Sequence, residues 1–223
     1  MDVNEVYSLM RYCVAKNRQQ GYLSPEDFNL IINTAQRSYL DYLLGEYQKY
    51  LPQRPIAVVE FGQNERIRES LSPLIYGTVL SVSGSGIGTR PSDFEYVDNM
   101  WTQSGNYNIR FAQQDRLDAY YHSTIDPIVS NPIYLIQHEG FHFYPENIAF
   151  ARMSYVRTPP SIVWGYSLDG NNRPVWNPAT SQNPVWGNTD ILQIIVRALM
   201  MVGVNLQFQT VIQYAKDIRD GGQ

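Results

Sequence analysis

The sequence predicts an α+β protein, a helical bundle built from both chain ends with a β-rich domain inserted between them. Three observations carry this. Apolar residues recur at helical spacing near the N-terminus and again near the C-terminus. From Thr78 the chain changes to short β-branched and aromatic runs separated by Gly, Pro and Asn clusters. Between that region and the last helices lies a stretch dotted with Pro159, Pro160, Pro174, Pro178 and Pro184, which forbid regular interior structure. The expected organisation is therefore a helical segment over 1–77, a β-rich insertion over 78–156, an extended arm over 157–188 and helices over 189–223 that pack on the N-terminal segment.

The first helix is opened by Asp2 and Glu5, a capping pair three residues apart, and carries Val6, Leu9, Met10, Cys13 and Val14 on one face. Gly21 stops it. A second helix starts at Ser24-Pro25-Glu26-Asp27, with Ser24 as N-cap, Pro25 in the first turn and two acids at the positive end of the dipole. Its stripe is Phe28, Ile31, Ile32, Ala35, Tyr39, Leu43 and Tyr47, and it ends before Pro52. A short third helix is expected from Glu65 to Leu71, between Asn64 and Pro73. Strands are expected at Thr78 to Val82, Asp93 to Trp101, Ile109 to Phe111, in a hairpin over 133–144, and at Ala149 to Val156. Residues 114–122 suit either a short helix or a strand. After the arm, Asp190 is read as the cap of a helix bearing Ile191, Ile194, Ile195, Ala198 and Leu199; Gly203 interrupts, and a last helix is expected over about 206–218.

Composition narrows the function classes. The 223 residues carry only 17% charged side chains but 17 tyrosines, a balance that suits large protein-contacting surfaces as well as β-structure. A net charge of −4 argues against a dedicated nucleic-acid binder, which normally presents a basic face. Cys13 is the single cysteine, so no internal disulfide forms; it reads as a small buried residue. The start Met-Asp-Val-Asn-Glu lacks the basic and apolar regions of a signal peptide, and no apolar run approaches a membrane span. The expectation is a soluble protein made in a reducing cytoplasm, with no membrane contact.

Two motifs invite catalytic or nucleotide readings. His138-Glu139-Gly140-Phe141-His142 fits H-E-x-x-H, by which zinc peptidases are recognised. That chemistry needs a helix, because only an i, i+4 spacing on a helix puts both imidazoles on one face with the glutamate beside a zinc-bound water. Gly140 weakens a helix here, and Pro132 and Pro145 leave too short a segment between them. Ile133 to Ile136 and Phe141 to Tyr144 have strand character, so 138–140 reads as a hairpin turn in which Gly140 supplies positive φ. No Glu follows Glu146 to serve as the third ligand of a glutamate-type site, and Pro145 and Ile148 occupy the places of the extended motif's Gly and His. Asp169 and Asp190 are the distant acids that remain as alternatives. Ser83-Gly84-Ser85-Gly86-Ile87-Gly88 looks like a phosphate loop, but no Lys-Ser/Thr follows and Pro91 prevents a helix, so a flexible connection is expected. No catalytic, cofactor-binding or metal-ligating residue is assigned, and no cofactor.

The arm carries Trp164, Tyr166, Trp176 and Trp186, with Pro-Val-Trp at 174–176 and again at 184–186. A proline-stiffened arm of this kind is expected to lie on a neighbouring subunit. A lone chain is expected to expose much of Trp164, Trp176 and Trp186, and Trp164, Tyr166, Trp176 and Trp186 are the candidate interface residues. The three tryptophans could instead be stacking platforms of a carbohydrate-binding, tail-associated adhesive module.

Several features of residues 93–223 resemble virion structural proteins of tailed phages. These are a ribbon ending in Phe143-Tyr144-Pro145, the run Ala151-Arg152-Met153-Ser154-Tyr155-Val156-Arg157-Thr158-Pro159, the Pro-Val-Trp pair, Ile-x-Arg-Ala-Leu-x-x-x-Gly-Val-Asn-Leu at 195–206, and Gln213-Tyr214-Ala215. The resemblance is to those of Bacteroidetes-infecting and crAss-like phages, and within them to head-to-tail connector or neck ring proteins. It implies a helical body with a β-insertion and a homo-oligomeric, commonly twelve-fold ring. It also implies portal, tail or other neck proteins as partners, passing DNA that is not read for sequence, a place in the virion neck, and no catalytic residues. A ring needs two different complementary surfaces per subunit, which weak charge, many tyrosines and an arm are expected to supply, and an acidic balance suits a DNA channel.

Overall fold

A computed structural model describes residues 1–17, 22–48, 58–117 and 126–203. The protein is α+β and divides into two compact units, Met1–Ser70 with Pro159–Gln223, and Leu71–Thr158. Among the described residues no helix is long and apolar enough to cross a membrane.

In the first unit, α1 (Val3–Asn17) opens on a reciprocal box: the Glu5 amide donates to Asp2 Oδ1 at 2.8 Å and the Asp2 amide to Glu5 Oε2 at 3.0 Å. Helix α2 (Pro25–Gln48) opens likewise, its Asp27 amide donating to Ser24 Oγ at 3.0 Å. Helix α3 (Val58–Leu71) begins well before the expected Glu65 and runs into a 3₁₀ turn, Ser72–Leu74, where Pro73 takes an early helical position. Helix α4 (Asn188–Met201) packs on α2 and α1. Its buried face is Ile191, Ile194, Ile195, Ala198 and Leu199, and α1 and α2 contribute Val6, Met10, Phe28, Ile32, Ala35 and Leu43 to the buried core. Leu9, Ile31 and Cys13 are only half-buried, at the edges of their stripes. Asp190 is not the cap: Gly187 precedes the helix, and the Asp190 carboxylate turns inward to accept from the Tyr39 hydroxyl at 2.7 Å.

The second unit contains two sheets. Strand β1 (Ile75–Ser81) pairs antiparallel with β7 (Phe150–Arg157), which pairs antiparallel with β3 (Phe94–Thr102), in the order β1-β7-β3. The second sheet has the order β2-β6-β5-β4, where β2 is Ile87–Gly88, β4 Arg110–Phe111, β5 Ile133–Gln137 and β6 Gly140–Tyr144. Alternation along β7 sends Ala151, Met153 and Tyr155 into one apolar cluster with Leu80, Met100, Ile109, Tyr134, Phe141 and Phe143. Ser83–Gly88 is not a loose connection. The Ser83 amide donates to the Ile87 carbonyl at 2.8 Å, and the Phe143 amide to the Gly86 carbonyl at 2.8 Å, which welds the turn onto β6. Of the undecided 114–122 stretch, 114–116 form a 3₁₀ turn and 118–122 lie outside the described residues. The helix expected over 206–218 also lies outside them.

Candidate functional site

The H-E-x-x-H residues lie on a hairpin. Strands β5 and β6 pair from Ile133↔Tyr144 to Gln137↔Gly140, leaving His138 and Glu139 as the two turn residues. Gly140 has φ 150°, and a Cβ there would come within 2.3 Å of the Gly88 carbonyl oxygen, so both conformation and space demand glycine. His138 is exposed at the turn, whereas His142 is half-buried on β6 between Leu135 and Ile87. The helical geometry that a zinc-activated water requires does not occur here. Asp169 tightens an exposed turn, accepting from the Asn171 and Arg173 amides at 2.8 Å each, and Asp190 bonds Tyr39. Among the described residues no group of three or more His, Cys, Asp and Glu is placed to hold a metal ion. The turn is fixed instead by Arg90, which donates to the Gln137 carbonyl and lies over Phe141 at 5.5 Å and Phe94 at 5.9 Å.

The candidate interface residues lie in the segment that follows β7, and here the expectation needs correction. Trp164 and Trp186 are each only 4% exposed, and Trp176 is 37% exposed. The segment packs against its own helices because α2 offers it a row of carboxamides. Asn29, Asn33 and Gln36 fall four and three residues apart, on one helix face. Asn29 accepts from the Trp164 amide at 2.7 Å and donates to its carbonyl at 3.3 Å. Asn33 does the same for Ile162, at 2.8 Å both ways, and Gln36 donates to the Pro160 carbonyl at 3.0 Å. Alternate residues of an extended chain thus find on a helix the donor and acceptor pairs that a neighbouring strand would supply. That satisfies backbone groups which would otherwise be costly to bury.

The rings then fill the space beside this ladder. Trp164 lies 4.3 Å from Tyr7 and stacks with Tyr166 at 6.0 Å, its Nε1 donating to Asn4 Oδ1 at 3.1 Å. Trp186 donates to Gln36 Oε1 at 2.9 Å and meets Tyr39 edge-on at 5.4 Å. Burial first, then the bond to Asp190, raises the Tyr39 phenol well above its usual range. Tyr166 is half-buried and donates to Glu26 Oε1 at 3.1 Å, and that bond raises its pKa. Gly165 passes under Thr180 so closely that a Cβ would sit 2.2 Å from the Thr180 Oγ1. Among the four candidates, only Trp176 is set on the outside.

Trp176 belongs to a two-stranded ribbon, β8 (Tyr166–Leu168) and β9 (Pro174–Trp176), joined by the turn at 169–173. Leu168, Val175 and Trp176 are exposed along it. Sequence reasoning named Trp176 but missed Leu168 and Val175. It also missed the face of β1-β7-β3 where Val79, Arg152 and Trp101 stand in register, with Phe150 beside them opposite Ser81. Val79 and Phe150 are exposed there. On α4, Leu192, Val196 and Met200 form a third exposed row at four-residue spacing. No family model matches this sequence, and no curated protein matches it.

Proposed function

We propose that this chain is a non-enzymatic structural protein of a tailed-phage virion. It acts as a head-to-tail connector subunit that assembles as a ring, twelve-fold by resemblance, between portal and tail and lines the passage for DNA. In this reading the helices from both chain ends form the bundled body of the subunit, the β-rich insertion is its second unit, and the part of the arm that reaches a neighbour is the β8–β9 ribbon. The interface residues are Trp176 with Leu168 and Val175. Trp164 and Tyr166 anchor the start of the ribbon on α1 and α2, and Trp186 anchors the segment before α4 on α2.

The observation that carries the reading is the distribution of open apolar surface. Each unit keeps its own buried core and still exposes large apolar side chains, Leu168, Val175 and Trp176 in one and Val79 and Phe150 in the other. Soluble monomers rarely leave such surface open, and a cyclic assembly requires two unlike patches per copy so that head-to-tail contacts close. The net charge of −4 suits a channel wall that must not retain DNA. The peptidase alternative lacks the helix its motif needs. The carbohydrate-platform alternative keeps one accessible tryptophan of three, too few for a stacking surface.

Negative-stain electron microscopy of the purified full-length protein, beside sedimentation velocity, tests the proposal. Closed rings with a hole wide enough for duplex DNA are the expected result. A protein that stays monomeric at the highest soluble concentration, alone and with its virion neighbours, would refute it.

A further inference from the structure

The helical unit carries two exposed surfaces of opposite character, one toward each end of α2. Helix α4 sets the first. Its only charged residues are Asp190 and Arg197, and both are turned toward α2. Asp190 accepts from Tyr39, and the Arg197 guanidinium lies over the rings of Tyr39 at 5.6 Å and Tyr42 at 4.8 Å. The outward side of α4 is left with Leu192, Gln193, Val196 and Met200, all exposed and none charged. A surface helix normally sets charged or polar groups opposite its buried stripe, and one that is apolar on both sides is covered on both. Tyr42, itself exposed, adds to this surface beside Arg197.

Arg197 says what the cover must carry. It is half-buried, its buried Nε has no hydrogen-bond partner, and two rings rather than a carboxylate hold its guanidinium. Stacking on aromatic faces fixes the plane of the fork, and the acceptor that matches that fork in geometry and charge is a carboxylate. An apolar row beside a stacked guanidinium therefore fits a surface that is itself apolar and acidic.

Such a surface lies toward the other end of α2. Glu26, in the first turn, and Leu30, one turn on, are both exposed, Leu30 by 69%. Glu26 accepts from Tyr166 through Oε1, and Tyr166 opens β8, so the acidic patch runs on into the ribbon with Leu168 and Trp176. An acid in a first turn answers the helix dipole; the open leucine and the ribbon beside it do not follow from that. Glu26 and Tyr42 lie ~24 Å apart along the helix, and Leu30 and Tyr42 are about 120° apart around it. Patches so placed on one rigid element cannot meet within a copy. They bring the head of one copy to the tail of the next, the heterologous contact that a ring requires. We propose that the Arg197 end of one copy receives the Glu26 end of the next, the Glu26 carboxylate meeting the guanidinium while Leu30 and the ribbon cover Leu192, Val196 and Met200. This contact rests on the ring reading above, and it puts both unlike surfaces of the ring in the helical unit.

The test uses full-length protein and two kinds of variant. Arg197→Glu and Glu26→Arg each set like charges against one another across the contact. Each alone is expected to lower the assembled fraction, followed by sedimentation, at least about tenfold at fixed concentration. Mixed in equal amounts the two are expected to assemble again, because in an alternating ring every junction once more joins opposite charges. Recovery on mixing also shows that both variants fold, with far-ultraviolet circular dichroism as the direct check. Separately, in a Cys13→Ser background, Leu30→Cys protein is mixed with Val196→Cys protein and mildly oxidised. A disulfide between the two kinds of chain is expected on denaturing electrophoresis, and this arm decides the matter if a charge reversal fails to fold. Assembly that both reversals leave unchanged, or a loss that mixing does not restore, with no link between positions 30 and 196, overturns the inference and leaves the ring standing. Parent protein that stays monomeric refutes the ring reading and this contact together.

Discussion

The two units of this chain meet the same requirement, that buried backbone polar groups be paired, by opposite means. In the unit of residues 71–158 strands pair with strands: β7 is bonded along both edges, and the pairing partners are backbone throughout. In the unit built from the two chain ends, the extended segment 160–164 has no strand beside it and bonds instead to Asn29, Asn33 and Gln36 on a helix. A strand ladder tolerates most side-chain changes because the backbone makes it. A side-chain ladder is lost with the residues that form it. Unlike its neighbour, the helical unit should therefore be vulnerable to small polar substitutions.

The largest expected effect follows from that asymmetry. Replacing both Asn29 and Asn33 with Ala leaves the N–H and C=O groups of Ile162 and Trp164 without partners in a part-buried site. At about 1–3 kcal/mol for each buried group left unsatisfied, the double change should cost ~4 kcal/mol or more. Urea unfolding followed by tryptophan fluorescence should show Trp164 and Trp186 reporting early, while Trp101 in the other unit keeps its midpoint. Equal shifts for both units would break the comparison.

In the β unit the equivalent weak point is a backbone contact. Gly140→Ala must resolve a 2.3 Å approach to the Gly88 carbonyl at a φ of 150°. Overpacking and an unfavourable φ together should cost about 2–4 kcal/mol. His138→Ala, at the exposed turn of the same hairpin, should lie within ~0.5 kcal/mol of the parent by thermal or urea unfolding. A large effect of His138→Ala with a small one of Gly140→Ala would reverse this reading of the motif.

Alkaline pH separates the two units by a different route. Burial lifts Tyr134 to about 12, and burial with the Asp190 bond lifts Tyr39 further. Both pKa values are raised above the unfolded 10.0, so the stability at stake is fully present below pH 10. It is lost as pH climbs toward each folded value, because the unfolded chain ionises first. A rise of that size at Tyr134 corresponds to a loss of ~2 kcal/mol by pH 12. Tyr134→Phe should flatten the fall for the β unit only, and Tyr39→Phe for the helical unit only, in urea midpoints taken from pH 9 to 12. A fall that neither variant changes would show that other groups govern alkaline unfolding.

How much was legible in the sequence follows the same division. Strands β3, β5, β6 and β7 came within a residue or two of their expected ends, because alternation and turn residues are local signals. The hairpin and its glycine were readable for the same reason, and with them the turn, rather than helical, setting of H-E-x-x-H. The helices α1 and α2 were marked by their capping pairs. What could not be read was the partner of the proline-rich segment, since Asn29 and Trp164 are 135 residues apart and no periodicity links them. Asp190 was misassigned for a related reason: an acid near a helix start looks like a cap until Tyr39, on another helix, is found beside it.

The smallest expected effect on folding is also the most informative about assembly. Leu168, Val175 and Trp176 line the exposed ribbon, and the contacts that hold the segment down belong to Trp164, Tyr166 and Trp186 instead. Leu168→Ser with Val175→Ser should shift stability by no more than about 0.5 kcal/mol each, as for other surface changes. Trp176 donates to Ser181 Oγ at 3.0 Å, so Trp176→Phe, which removes that bond and keeps an aromatic ring, serves as the control for a local loss of order. If the ribbon is an interface, the double serine variant should unfold at the parent's urea concentration and yet sediment as a smaller species. The cost in association should approach the ~2 kcal/mol or more of an interface anchor. Trp164→Phe should behave oppositely, lowering the unfolding midpoint through the lost Asn4 bond and poorer packing against Tyr7 while leaving the assembly of folded molecules intact. Assembly that survives the ribbon changes but fails with Trp164→Phe at full folding would move the interface from the exposed ribbon to the buried ring.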